Sequence, residues 1–164
     1  KEADLEKLAK GFHYLKEVSE FDIWHDEKCE DLTKKAKEIL NHAKSGEKQG
    51  FTYGVAAKLL NCYLKTIFVT QFIGSLSVTE KEKVSVIHPP IDRLLINSIK
   101  NKLHLIYADT EIEEKRKFWN SKDIQSWSLY EARDYKKVIG EIKKIQKKRN
   151  QPLWMIEAYW PGHQ

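Results

Sequence analysis

The chain has 164 residues, 41% of them hydrophobic and 32% charged, with 7 Gly and 4 Pro; this excludes fibrous and disordered classes and suits one globular, helix-rich domain over residues 1–164. Lys and Arg number 29 against 24 Asp and Glu, a formal +5, which favours a polyanionic partner only modestly. No apolar run is long enough to span a bilayer, and the two cysteines, Cys29 and Cys62, stand in no metal-ligand spacing, so the expectation is a soluble, cytoplasmic chain with no membrane partner.

Leu5, Leu8, Phe12, Leu15 and Val18 recur every three or four residues and predict an amphipathic helix from Ala3 to about Val18. The stretch EDLTKKAKEILNHAKSG repeats the pattern through Leu32, Ala36, Ile39, Leu40 and Ala43, with Gly46 as its stop. A third helix begins at Thr52 or Tyr53 and runs to about Phe68, with Val55, Leu59, Tyr63 and Ile67 on one side. VTQFIGSLSVTEKEKVSV then loses the period, and both a short strand and an irregular excursion fit it. Pro89 and Pro90 suit the first turn of a new helix that carries Ile91, Leu94, Leu95 and Ile99 inward and places Asp92 in that turn.

One short charged helix fits Glu111 to Trp119. Ser128 and Glu131 match a capping box, opening a long helix with Tyr135, Val138, Ile139, Ile142 and Ile145 inward and a lysine face outward. A last short helix begins at Pro152 and is stopped by Pro161 and Gly162. The whole reads as an all-α, compact bundle of about six or seven helices.

No HExxH, P-loop, GxSxG, CxxC or GxGxxG stands in a usable context, so the chemistry must come from elsewhere. Two residues stand out. Lys58 sits among Ala56, Ala57, Leu59 and Leu60 early in an apolar helix, where desolvation disfavours the charged amine and leaves it closer to a nucleophile. Asp92 at a helix start is held as a carboxylate by the helix dipole and can take a proton or face a cation. Each also has a simpler role, as a solvated lysine and as a helix-start charge.

The string GVAAKLLNC, Gly54 to Cys62, resembles the hairpin segment of the helix-hairpin-helix DNA glycosylases, in particular the 8-oxoguanine DNA glycosylases, where a Gly-Val pair precedes the catalytic lysine at this spacing. HPPIDRLL is similar to the downstream Pro-Val-Asp segment of that family, with Pro90, Ile91 and Asp92 as the matching positions. The chain departs from the pattern at Ala56, where the family has a further glycine, and in the 34 residues (92 − 58) between lysine and aspartate.

The resemblance implies a base-flipping helical domain with a helix-hairpin-helix centre, acting on double-stranded DNA without metal or cofactor. Lys58 would attack the sugar C1′ under an oxidised purine such as 8-oxoguanine, and the resulting Schiff base can lead to strand cleavage as in an AP lyase. Asp92 would support the developing charge. Gly54 would let a backbone amide approach a phosphate, and Trp154 or Trp160 would bring an aromatic to the cleft.

His88, Tyr53 and Asn61 are further candidates for contacts near the substrate. His88 could orient Asp92, and Tyr53 and Asn61 flank Lys58 by helical spacing. From another class comes a non-catalytic helical module that binds nucleic acid or a protein partner through Lys143, Lys144, Lys147 and Lys148.

Overall fold

The computed structural model describes residues 5–42, 50–70 and 76–160, and every regular element among them is helical. The all-α class expected from composition and periodicity is what is found. Nine α-helical segments occur among the described residues, two of them single turns: α1 (Leu5–His13), α2 (Phe21–His42), α3 (Tyr53–Leu64), α4 (Val78–Ser85), α5 (Arg93–Asn101), α6 (Leu103–Ile106), α7 (Asp109–Asn120), α8 (Lys122–Gln125) and α9 (Ala132–Arg149). Helix α3 continues into a π-helical turn, Lys65–Thr70, and 3-10 turns cover Val18–Glu20, Trp127–Leu129 and Leu153–Tyr159.

Helix α3 is central, because its apolar residues close on α2, α9 and the Trp127–Leu129 turn. It buries Ala56, Ala57, Leu60, Asn61 and Leu64, whereas Leu59 of the opposite stripe is exposed. Two alanines in succession leave little bulk on the buried face, so neighbouring backbones approach closely. Helix α9 behaves as its period demands, burying Tyr135, Val138, Ile139, Ile142 and Ile145.

Several boundaries differ from the expectation, each for a local reason. The first helix stops at His13, and Phe21–His42 forms one long helix whose first turns are fixed by Phe21, Trp24, His25 and Cys29, all buried at three- and four-residue spacing. His25 and Cys29 stand outside the usual aliphatic and aromatic pattern of a buried helix face, so periodicity alone does not display this start. Ile39 of the same helix faces solvent, against expectation, as does Leu94 of α5.

The non-periodic stretch contains no strand among the described residues; Ser77 caps α4 with a reciprocal Glu80 contact, an arrangement that Ser-x-x-Glu supports. Ser128 and Glu131 make no such box, since Ser128 lies in the turn before α9 and Glu131 occupies the N-cap position itself. The expected stops at Gly46 and at Pro161 and Gly162 lie outside the described residues.

Candidate active site

The first turn of α3 fixes the geometry. Thr52 caps it, accepting from the Val55 N–H at 3.3 Å, and donates its own hydroxyl to the Ser128 carbonyl at 2.7 Å. One residue into the helix, the Gly54 N–H donates to the Tyr130 carbonyl at 3.0 Å. A Cβ on Gly54 would stand 2.2 Å from the Trp127 carbonyl oxygen, so only glycine lets this turn lie flat on the helix. The amide expected to reach a DNA phosphate is therefore committed inside the protein, and Gly54 is buried.

Lys58 follows one turn later with its side chain 31% exposed, and its Nζ lies 3.1 Å from Asp92 Oδ2. The same amine sits over the indole of Trp127, 4.6 Å from the ring centroid. Carboxylate and aromatic face are both partners of a lysine side chain, so Lys58 is paired in the free protein and is not the isolated group that its neighbours in sequence suggested.

Asp92 is the N-cap of α5 and not a first-turn residue, and α5 begins at Arg93. Its Oδ1 accepts from the Leu95 N–H at 2.9 Å, leaving Oδ2 for Lys58. What brings Asp92 back across 34 residues is a clamp: the Asn61 side-chain amide donates to the Pro89 carbonyl at 3.0 Å, and Ile91 is buried. Asn61 sits on α3 three residues after Lys58, so the same helix holds both the amine and the segment that delivers its partner.

Lys58 and Asp92 open into a cleft of about 430 Å³ whose wall includes Cys62, Lys65, Glu157 and Trp160. Lys65, two helical turns beyond Lys58, forms an ion pair with Glu157, which is buried. Trp160 thus stands where an aromatic was expected, whereas Trp154 does not line the cleft; it packs against the core with a buried indole N–H that has no protein acceptor.

His88, Tyr53 and Asn61 do not line the cleft either. They belong instead to a buried polar network, so the structure does not bring them to the Lys58 cleft. Asn61 Oδ1 faces His25 Nε2 at 2.8 Å, and its Nδ2 reaches the Tyr135 hydroxyl at 2.8 Å. His88 Nδ1 faces that hydroxyl at 3.1 Å, and Nε2 faces Asp22 Oδ1 at 3.0 Å. Every member is satisfied when both imidazoles are neutral and carry the proton on Nε2, with the Cys29 thiol 3.6 Å from His25 Nδ1. Burial holds both histidines below their usual range, while the His88 hydrogen bond and then Lys143 hold the Asp22 carboxyl well below its own. The Tyr53 hydroxyl donates to Asp26 at 2.7 Å.

The lysine face of α9 is largely committed to carboxylates. Lys143 pairs with Asp22, Lys144 with Glu141 at 3.4 Å and Lys148 with Glu111 at 3.1 Å, and Lys147 alone of the four makes no ion pair among the described residues. Among the described residues no cluster of His, Cys, Asp and Glu could hold a metal ion, and no helix is long and apolar enough to cross a membrane.

Sequence reasoning did not assign a role beside Lys58 to Trp127, nor any role to the Lys65 and Glu157 pair. Lys65 was within reach, because a residue seven positions after Lys58 shares its helical face; Trp127 and Glu157 arrive by tertiary packing and leave no local signal. Comparison of the chain with family models, curated proteins and solved structures returns no match.

Proposed function

We propose that the chain is a DNA glycosylase with an associated lyase step, acting on double-stranded DNA that carries an oxidised purine such as 8-oxoguanine, with Lys58 as nucleophile and Asp92 as its proton partner. The observation that carries this reading is the meeting of the Lys58 amine and the Asp92 carboxylate at 3.1 Å in one open cleft, although 34 residues separate them in the chain. The cleft volume suits a single nucleobase and its sugar, and Trp160 offers a face against which a flipped base can stack.

The hydrogen bond defines the first step. Lys58 passes a proton to Asp92 Oδ2 and becomes a neutral amine. Its lone pair forms the Nζ–C1′ bond as the bond from C1′ to the base breaks, the electron pair leaving with the base, which takes the proton from Asp92. Opening of the sugar moves a proton from nitrogen to the ring oxygen and gives the protonated Schiff base; Asp92 Oδ2, again a carboxylate, takes a C2′ proton, its bonding pair forms the C2′–C3′ double bond, and the 3′ phosphate leaves with the C3′–O pair. The Leu95 N–H bond keeps Asp92 Oδ1 in place throughout, so proton traffic is confined to Oδ2.

Borohydride trapping tests the reading on duplexes containing 8-oxoguanine or an abasic site. A covalent adduct in the wild type that disappears with Lys58→Gln is the expected result. The absence of any adduct on both duplexes overturns it.

A further inference from the structure

We propose that Trp127 is a positioning residue for Lys58, its indole face and the Asp92 carboxylate together forming the seat that aims the amine at C1′; this inference rests on the glycosylase reading. A lysine side chain has four rotatable bonds, and one contact at its tip leaves many rotamers open. In this protein the tip has two: Asp92 Oδ2 at 3.1 Å and the Trp127 ring at 4.6 Å from its centroid. Two partners on one nitrogen restrict where it points, and orientation of this kind is a large part of what an enzyme contributes to a bimolecular step.

The fold holds Trp127 at that place with more than its own side chain. The turn that carries it is tied to the first turn of α3 by the Thr52 hydroxyl on the Ser128 carbonyl and by the Gly54 N–H on the Tyr130 carbonyl. Gly54 admits the Trp127 backbone to a distance that any Cβ would forbid. Tyr130 is itself buried and donates its hydroxyl to the Ile124 carbonyl, so the turn is secured from both sides. Gly54, Lys58 and Trp127 therefore form one device: the glycine seats the turn, the turn carries the indole, and the indole seats the amine.

Two measurements test this on the full chain. In an NMR spectrum of lysine-labelled protein, the ring current of Trp127 displaces the Lys58 ε-methylene protons upfield; the signal is assigned by its loss in Lys58→Gln. Trp127→Leu returns it to the position of the other lysines, and Trp127→Phe leaves part of the displacement. On an abasic duplex with borohydride, Trp127→Leu slows single-turnover adduct formation about tenfold and Trp127→Phe much less. Gly54→Ala retains the indole but pushes its backbone away, and is expected to lose both the displaced signal and the rate.

Adduct formation by Trp127→Leu at the wild-type rate overturns the proposal, as does a wild-type Lys58 signal with no upfield displacement in a protein that still traps. A wild type that shows the displaced signal but forms no adduct removes the reaction, and the proposal with it; the intact signal identifies that failure as one of the glycosylase reading.

Discussion

Asp92 divides its carboxylate between two tasks, and substitutions can separate them. Oδ1 caps α5 and Oδ2 faces Lys58. Asp92→Asn keeps an oxygen for the Leu95 N–H but cannot take the Lys58 proton, so thermal stability should stay near the wild type while adduct formation falls by about a hundredfold. Asp92→Ala loses the cap as well, and its melting should show an additional cost of about 1 kcal/mol. Asn61 carries a different burden. It is fully buried, and Asn61→Leu removes the donor to the Pro89 carbonyl and to the Tyr135 hydroxyl and the acceptor facing His25 Nε2, which should destabilise the protein by about 3 kcal/mol in urea denaturation. The sequence made Lys58 and Asp92 legible because both stand at recognisable positions, one in an apolar helix and one before a helix. Asn61 was visible only as a neighbour of Lys58, since its partners lie 28, 36 and 74 residues away.

At the scale of elements, the periodic helices were legible and the transitions between them were not. Helix α9 shows its buried face through five spaced apolar side chains, and α5 announces itself through two prolines and an aspartate, although the prolines lie ahead of the helix and not in its first turn. The start of α2 was hidden because two of its core positions are His25 and Cys29, the first paired with Asn61 of α3 and the second with His25 itself. The lysine face of α9 was legible only by half: the sequence displays the cations, but not the carboxylates that Asp22 and Glu111 bring from α2 and α7. Changing Lys143, Lys144, Lys147 and Lys148 together to Gln should leave adduct formation on an abasic duplex close to the wild type, whereas a binding module that works through this face would lose its partner. A pull-down on duplex DNA alongside trapping distinguishes the two.

For the whole molecule, the buried polar network sets the response to acid. His25 and His88 are fully buried, and both titrate below their ordinary value of 6.5 in the folded protein. The unfolded chain therefore binds protons that the folded one refuses, so stability is complete above pH 6.5 and declines as the pH falls below it, by up to about 1.4 kcal/mol per pH unit for each histidine. Asp22 acts in the same direction at lower pH: its carboxyl is depressed, so its contribution is complete above the ordinary value of 3.8 and is lost as the pH falls from there towards the depressed folded value. Melting temperatures recorded from pH 8 to pH 5 should fall monotonically, and His25→Gln should flatten the slope.

The clamp between Asn61 and Pro89 also separates two lengths that are easily confused. Distance along the chain between Lys58 and Asp92 has no bearing on their distance in space, because α3 grips the returning segment just ahead of the aspartate. The separation along the chain is therefore not what defines the pair; the grip of Asn61 on the Pro89 carbonyl is. A spacing rule drawn from shorter connections would pass over such a protein, and a search keyed to an asparagine three residues after the lysine and a proline three before the aspartate would not.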